Sequence, residues 1–266
     1  MKILYAAAEI SPFAKMTNTA DLMRFLPASL QDKGFEIRIL LPKYGSIHDR
    51  RNRLHEVIRL SGIEVKVADN VESMRIKVAS IPNAKLQVYF LDNDTYYKRK
   101  GLFRDAKGNF YDDNAERLIF YNKGILETVI KLGWKPDFIH CHDWAAGFVP
   151  VFMKETYKDQ EIFKNTKIIY NLHSPVNEGI FNEDFIDLAR LPEGFDKSRV
   201  MTGDKVDFIR AGLSYADHVV TSNDVKDEFD DLFKELKITP TKIQGSPFDM
   251  SSKFADYYNS LAPVND

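Results

Sequence analysis

The start of the chain alternates between the pattern of a buried strand and the pattern of a helix. Residues 2–9 form a short, nearly continuous apolar run, which is typical of a strand buried on both faces of a parallel sheet. Apolar residues then recur at helical spacing as far as Leu30, and Gly34 follows as a helix stop. A second apolar run over 35–41 is closed by Pro42. The pattern therefore predicts a strand–helix–strand unit of the α/β class.

A different pattern follows over residues 55–91. Short segments there alternate between apolar and polar residues or are rich in β-branched residues, and turn-like joins such as Ser61-Gly62 separate them. These segments are 55–60, 63–67, 74–78 and 86–91. The pattern favours an antiparallel insertion in the sheet or an extension of it. A long amphipathic helix is predicted next, over 112–133.

The strand–helix alternation resumes in the second half of the chain. We predict strands over 138–141, 167–172 and 218–221, and helices over 145–157, 204–215 and 224–236. This order indicates an α/β protein with a mostly parallel sheet. From Ile238 to about Asp249 the composition shifts to Pro, Ser, Thr and Gly. A further short apolar face follows, made of Phe254, Tyr257, Tyr258 and Leu261.

Composition excludes several classes of protein. The chain has 266 residues, of which 44% are hydrophobic and 29% charged, so it has the usage of an ordinary folded domain. Its net charge of −2 and the lack of a dense Lys/Arg run give no support for a nucleic-acid or membrane partner. A single cysteine, Cys141, cannot form an intramolecular disulfide, and no apolar stretch approaches about 18 residues. We expect a cytoplasmic protein.

Polar residues follow four of the predicted strands. Ligands bind outside the carboxyl ends of parallel strands, so the loops at these ends are the first candidates for a site. They are 9–21, 140–144, 171–175 and 222–224. We expect all four to converge on one edge of the sheet.

Single residues in these loops have alternative interpretations. His140, His142 and Asp143 could ligate a metal, but no second ligand cluster is evident in the sequence, so no metal site is expected. Cys141 points to the opposite strand face and is expected to be a buried apolar residue rather than a nucleophile. Trp144 is expected to be a core or capping aromatic residue. The sequence also lacks the GxxxxGK[ST], GxGxxG and GxSxG motifs, which disfavours P-loop, ordinary dinucleotide and acyl-transfer enzymes.

The roles of two other residues in these loops cannot be decided from the residues alone. His173, at a strand end, is balanced between a structural histidine and a ligand contact. Lys15 alone has the pattern of a solvated surface lysine.

Six motifs, in order along the chain, resemble those of bacterial glycogen synthases and plant starch synthases. The opening reads Lys-Ile-Leu-Tyr-Ala-Ala-Ala-Glu-Ile-Ser-Pro-Phe-Ala-Lys, and a later motif reads His-Cys-His-Asp-Trp. The motifs occupy 2–15 with 20–21, 26–27 and 34–44; 97–101; 113–117; 140–144; 172–173 with 178–181; and 211–217. The resemblance covers about residues 1–235, which correspond to the N-terminal half of the family's architecture.

This resemblance implies a fold and an activity. The family has the GT-B fold of two Rossmann-like lobes and transfers glucose from ADP-glucose or UDP-glucose to the non-reducing end of an α-1,4-glucan. It implies here a single Rossmann-like lobe over 1–237, with a mostly parallel sheet and an antiparallel insertion. The tail, 238–266, resembles the terminal segment of full-length relatives, so we expect its short helix to pack back on the lobe. The second, donor-binding lobe is expected to be absent.

The resemblance also implies roles for particular residues. Lys15 matches a lysine near the donor phosphates, Asp143 the aspartate after the histidine pair, and His173 a histidine that approaches the transferred glucose; these are the expected catalytic residues. No cofactor is implied beyond the nucleotide sugar, which is a substrate, and no metal. The expected substrate-binding residues are Asp21 of the lysine loop, Tyr97 in the sugar cleft, Glu9, His142 and Glu178.

One motif departs from the family pattern. The family loop reads Lys-Thr-Gly-Gly-Leu-Ala-Asp, whereas residues 15–21 read Lys-Met-Thr-Asn-Thr-Ala-Asp. Side chains on Thr17 and Asn18 obstruct the close approach of backbone N–H groups to a diphosphate.

Three hypotheses follow from the retained Lys15, Asp143 and His173, from this departure and from the expected absence of the donor lobe. The first is a glycosyltransferase lobe, active with ADP-glucose and an α-glucan only when a separate donor-lobe chain is present. The second is a non-catalytic protein, regulatory or binding α-glucan or maltooligosaccharide, that descends from the enzyme. The third is an interaction subunit without a ligand, including a homo-oligomer, that uses the surface left uncovered by the missing lobe as an interface.

Overall fold

The computed structural model of the chain describes residues 1–82, 84, 86–222, 225 and 227–262. The strands are β1 (Lys2–Ala6), β2 (Glu36–Pro42), β3 (His55–Glu56), β4 (Ile63–Val67), β5 (Asn70–Ser80), β6 (Gln87–Asp92), β7 (Phe138–His142), β8 (Lys167–Leu172), β9 (Ile180–Asn182), β10 (Met201–Thr202), β11 (Lys205–Asp207), β12 (His218–Thr221) and β13 (Thr241–Lys242). The helices are α1 (Thr19–Asp32), α2 (Asp49–Asn52), α3 (Asp94–Tyr97), α4 (Asn114–Leu132), α5 (Val149–Glu155), α6 (Phe185–Ala189), α7 (Phe208–Tyr215), α8 (Asp230–Leu236) and α9 (Pro247–Leu261).

A large mixed sheet runs through the centre of the molecule in the order β13-β12-β8-β7-β1-β2-β6-β5-β3, and β4 pairs with β5. Every pairing from β13 to β6 is parallel, whereas β3, β4 and β6 each pair antiparallel with β5. The α/β class, the mostly parallel sheet and the antiparallel insertion are thereby confirmed. Strand β6 joins the two parts, because it pairs parallel with β2 and antiparallel with β5, so residues 55–91 extend the parallel sheet.

The central strands form because their residues are buried on both faces. In β1 the side chains of Ile3, Leu4, Tyr5 and Ala6 are fully buried. Parallel register places Tyr5 beside Ile39 of β2 on one side and His140 of β7 on the other. Strands buried in this way read as continuous apolar runs, which is why the sequence located them.

Several helices begin or end differently from the sequence prediction. The helix predicted over 145–157 consists of a 3-10 turn, Trp144–Ala146, followed by α5. The helix predicted from 204 begins only at Phe208, because Asp207 caps it by accepting hydrogen bonds from the backbone N–H groups of Ile209 and Arg210. The preceding residues form a small antiparallel sheet of β9, β10 and β11, which the sequence analysis missed.

The last two helices also differ in length from the prediction. Helix α8 begins at Asp230, and the predicted start at Asp224 lies outside the described residues. Helix α9 begins at Pro247, upstream of the predicted apolar face, because Ser246 and Asp249 form a reciprocal capping box. It packs against α1, where the hydroxyl oxygens of Ser29 and Ser251 lie 2.6 Å apart.

Among the residues that the structure describes, no helix combines the length and the apolar character that crossing a membrane requires.

Candidate functional site

Loops after three neighbouring parallel strands meet at Asp143, which directly follows β7. One carboxylate oxygen of Asp143 accepts a hydrogen bond from the Thr19 hydroxyl at 2.9 Å. The other accepts from the backbone N–H groups of His173, at 2.7 Å, and Ser174, at 3.1 Å, in the loop after β8. The predicted convergence of these loops is confirmed. The loop after β12 contributes Ser222 beside His173, whereas Asn223 and Asp224 lie outside the described residues.

A cavity of about 390 Å³ opens at this edge of the sheet. Its walls combine two aromatic rings, Phe103 and Trp144, whose centroids are 4.6 Å apart, with three carboxylates, those of Glu9, Asp143 and Glu178. The remaining lining residues are Ala7, Ala8, Met16, Thr17, Thr19, Leu102, Arg104, His142, Ala145, Ser174 and Val176. A mostly apolar cavity with a few convergent polar groups is the usual form of a small-molecule site.

Glu9 fixes the loop between β1 and α1. Its carboxylate accepts hydrogen bonds from the backbone N–H groups of Met16, at 2.6 Å, and Thr17, at 2.8 Å, and from the Thr17 hydroxyl at 2.5 Å. The Thr17 hydroxyl oxygen in turn accepts from the backbone N–H of Thr19 at 3.1 Å. Glu9 is only 5% exposed, so its carboxylate and these three donors form a buried local network at the cavity wall.

Asp143 has an unusual backbone and an unusual acidity. Its φ is +54°, in a region that non-glycine residues rarely adopt, and this conformation turns the side chain towards the loop after β8. Burial raises the pKa of its carboxyl to about 7, although the N–H groups of His173 and Ser174 and the Thr19 hydroxyl act in the opposite direction. Asp143 therefore changes charge near neutral pH.

Three buried histidines, His140, His142 and His173, lie in successive ring contact at the end of β7. Nδ1 of His142 and Nε2 of His173 are 2.8 Å apart, so one ring donates to the other. Burial lowers the pKa of His173 to about 3 and holds the pKa values of His140 and His142 well below their usual range. All three are therefore neutral at pH 7. Within the described residues, no three His, Cys, Asp or Glu side chains are arranged to hold a metal ion.

Lys15 and Asp21 form a half-exposed ion pair. The Lys15 ammonium lies 2.6 Å from the Asp21 carboxylate, which also accepts a hydrogen bond from the Ser11 hydroxyl at 2.6 Å. Both hydrogen bonds lower the pKa of Asp21, and the bond from Lys15 has the larger effect. Asp21 and His173 border a second cavity of about 310 Å³, between α1 and the start of α9, which shares Thr19 with the first.

Tyr97 lies apart from the other predicted residues. It is 2% exposed, its hydroxyl donates to the backbone carbonyl of Arg117 at 2.8 Å, and its ring packs edge-on against Tyr44. The structure thus brings Glu9, Asp143, His142 and Glu178 together at the cavity but leaves Tyr97 in the core.

Two residues that line the cavity, Phe103 and Arg104, were not predicted from the sequence as site residues. Arg104 pairs with Glu178 at 3.0 Å, and Phe103 lies against Trp144. Neither Phe103 nor Arg104 directly follows a strand, so a search of the loops at the carboxyl ends of strands does not find them. Trp144 borders the cavity although it is only 5% exposed, and Cys141 is fully buried, where burial raises the pKa of its thiol.

A doubly wound, mostly parallel sheet with a cavity at the carboxyl ends of its strands is a Rossmann-like lobe, the unit from which GT-B glycosyltransferases are built. Residues 2–233 match the family model of the starch synthase catalytic domain. The chain belongs to this family.

Relatives with curated names support the same assignment. The glycogen synthase of Chlorobaculum parvum is 42% identical over 223 residues, which are 84% of this chain and 46% of the relative. The glycogen synthase of Chlorobium luteolum is 41% identical over 223 residues, 84% of this chain and 45% of the relative. The chain therefore spans about half the length of the curated relatives it matches.

A solved structure has the same fold. It is the catalytic domain of starch synthase IV from Arabidopsis thaliana, bound to ADP and acarbose. The TM-score is 0.76 at 20% sequence identity, and the match covers 91% of this chain and 51% of that chain.

Proposed function

We propose that the chain is the acceptor-side lobe of a glycogen or starch synthase-type glycosyltransferase and that its cavity binds the non-reducing end of an α-1,4-glucan. The observation that carries this proposal is the lining of the cavity, which combines the aromatic residues Phe103 and Trp144 with the acidic residues Glu9, Asp143 and Glu178. A glucose ring presents C–H groups on its faces and hydroxyls around its edge. Aromatic rings suit the first, and carboxylates accept strong, charge-assisted hydrogen bonds from the second.

In the proposed reaction, glucose moves from ADP-glucose or UDP-glucose to the glucan. The O4 hydroxyl of the terminal glucan residue forms a bond to the anomeric carbon, the bond from that carbon to the diphosphate breaks, and the hydroxyl proton leaves with the diphosphate. Asp143 and His173 are assigned to the transferred glucose, and Lys15 to the charge of the departing diphosphate. Lys15 pairs with Asp21 at 2.6 Å, so this role requires Lys15 to exchange that partner for the diphosphate.

We assign most of the donor site to a second lobe outside these 266 residues. The chain covers 46% of its glycogen synthase relative, and the loop at 15–21 offers few free donors to a diphosphate. The backbone N–H groups of Met16 and Thr17 are bonded to Glu9, and that of Thr19 to Thr17. We therefore expect the 266-residue chain alone to transfer no glucose.

A second candidate function is a non-catalytic α-glucan-binding or regulatory protein. The same loop favours it, because Thr17 and Asn18 stand where the family's glycines would let a diphosphate approach. Both candidates share the glucan cavity and differ in whether a donor lobe restores transfer.

Tryptophan fluorescence tests the shared part of the proposal. The chain has two tryptophans, Trp134 and Trp144, and only Trp144 borders the cavity. In Trp134→Phe, addition of maltoheptaose is expected to change the emission of Trp144 with a saturating curve. Trp144→Phe is the matched control, in which Trp134 should give no response. An unchanged Trp144 signal, together with no heat in a calorimetric titration, would exclude glucan binding in this cavity.

Transfer assays separate the two candidates. The chain is mixed with maltoheptaose, labelled ADP-glucose or UDP-glucose, and the C-terminal half of the Chlorobaculum parvum glycogen synthase as donor lobe. Label in the glucan that depends on both halves supports the transferase lobe. Binding of maltoheptaose with no transfer under any combination, and no measurable affinity for ADP, supports the non-catalytic protein.

A further inference from the structure

The tail helix reaches the buried histidines through one hydroxyl. Tyr258 of α9 is fully buried, and its hydroxyl lies 2.7 Å from the Tyr5 hydroxyl of β1 and 2.5 Å from Nδ1 of His140 of β7. A single hydroxyl thus bridges two adjacent strands. Because Tyr5 and His140 are register partners across the parallel pair, their side chains stand together on the same face of the sheet.

Both residues held by Tyr258 contact the ring of His142. The Tyr5 ring stacks on the His142 ring with centroids 4.9 Å apart and an angle of 16° between their planes. The centroid of the His140 ring lies 4.1 Å from that of His142. The orientation of the His142 ring is therefore set by these two rings, which the tail helix fixes, together with His173, whose ring stacks on it with centroids 5.0 Å apart.

His142 is where this arrangement meets the cavity. Its Nδ1 is engaged by His173, whereas its Nε2 is buried and has no hydrogen-bond partner among the described residues. His142 is 2% exposed and borders the cavity. A buried polar atom without a partner is costly, so Nε2 is available to a hydroxyl that enters the cavity.

We propose that Tyr258 is a positioning residue of the site: its hydroxyl holds Tyr5 and His140 so that they orient the His142 imidazole towards the cavity. Helix α9 thereby becomes part of the site, although it contributes no group to the wall of the glucan cavity. The orienting role concerns this chain's own side chains, and only its consequence for glucan binding rests on the proposed function.

Tyr258→Phe tests this role, because it keeps the ring, which packs against Phe138 and Phe254, and removes only the hydroxyl. The matched control is Tyr257→Phe. It removes a hydroxyl from the next residue of the same helix, where the bond lost is to Thr241 rather than to a histidine. Long-range proton–nitrogen NMR correlations of the imidazoles report the tautomer and the surroundings of each histidine directly.

In Tyr258→Phe we expect the ring nitrogen signals of both His140 and His142 to move, whereas Tyr257→Phe leaves them at their wild-type positions. The dissociation constant for maltoheptaose should rise about fivefold in Tyr258→Phe only, the loss that corresponds to one hydrogen bond. If Tyr258 acted through packing alone, the His142 signals would stay at their wild-type positions and the dissociation constant for maltoheptaose would not change, because Phe keeps the packed ring.

Unmoved signals of His142 in a folded Tyr258→Phe protein overturn the proposal. If that variant does not fold, Tyr5→Phe replaces it, since this change removes the other partner of the Tyr258 hydroxyl, and the same shift of His142 is required. If the wild-type chain binds no maltoheptaose, the glucan proposal fails, and the imidazole signals alone decide the role of Tyr258.

Discussion

Asp143 combines an unusual backbone conformation, several hydrogen bonds and a raised pKa. It ends β7, adopts a positive φ, and accepts hydrogen bonds from the loops after β1 and β8. These bonds are made by a carboxyl whose pKa burial raises to about 7. The hydrogen bonds that link Asp143 to its neighbouring segments favour the charged carboxylate, whereas burial favours the neutral carboxyl. These two effects oppose each other in the folded state.

The pH dependence of stability follows from that opposition. Between about pH 4 and pH 7 the folded chain keeps a proton on Asp143 that the unfolded chain has released, so this residue's contribution falls as pH rises. His140, His142 and His173 act in the reverse sense, because their lowered pKa values favour folding less as pH drops below about 6.5. In the wild-type chain the two effects partly cancel.

Asp143→Asn is expected to remove the first effect and keep the second. Because the amide keeps an acceptor oxygen for the backbone N–H groups, the variant should gain about 2 kcal/mol relative to wild type between about pH 5 and pH 8. Urea unfolding followed by circular dichroism at both pH values measures this difference. Asp159→Asn, at an exposed position, is the control and should follow the wild-type profile. Parallel profiles for Asp143→Asn and wild type would show that Asp143 has an ordinary acidity.

The residues of the site differ in how far the sequence predicts them. Strand ends and the family motifs led to Glu9, His142, Asp143 and Glu178, which all border the cavity. Arg104 could not be found in this way, since it follows no strand and meets Glu178 only through a contact between residues 74 positions apart. Such contacts depend on the path of the loop, which local pattern does not encode.

Strands and helices were predictable from the sequence where burial produces a regular pattern of apolar residues. Their ends were not predictable where the hydrogen bonds of a single side chain fix the boundary. The central strands read as apolar runs because both of their faces are covered. The start of α7 was misplaced because Asp207, inside the predicted helix, caps it instead. The strands β9, β10 and β11 have only two or three residues each, too few to show alternation.

Packing of α7 on the sheet gives a prediction for one glycine. A Cβ at Gly212 would overlap the ring of Tyr170, which is fully buried and whose hydroxyl donates to the Asp143 backbone carbonyl at 3.2 Å. Gly212→Ala is therefore expected to cost about 2 kcal/mol of unfolding free energy, as overpacked cores do. The urea midpoint of the variant measures this cost.

Gly124→Ala in α4 is the matched control for that change. Its Cβ would meet the flexible Met74 side chain, with the sulfur 2.9 Å away, rather than a fixed ring. The gain in helix propensity, about 1 kcal/mol, offsets that contact, so we expect a midpoint near that of wild type. Equal losses in the two variants would contradict the role of the Tyr170 ring.

At the scale of the whole molecule, the hydrophobic core extends beyond the residues that match the family. The family match ends at residue 233, whereas α9 begins at Pro247 and buries Phe254 and Tyr258 completely. These side chains cover the face of the sheet that carries His140. The tail is therefore part of the same core as the matched lobe, and the site depends on residues outside the family match.

Two shortened chains test this dependence. A chain ending at residue 245 lacks α9, and the loss of two fully buried aromatic side chains and Met250 is expected to cost about 5 kcal/mol or more, comparable to the stability of a whole domain. Its urea midpoint should fall sharply or its unfolding should lose cooperativity. A chain ending at residue 262 keeps α9 and should unfold like the full chain. If the chain ending at 245 kept the wild-type midpoint, the matched lobe would be a complete folding unit, and α9 would be an attachment to it.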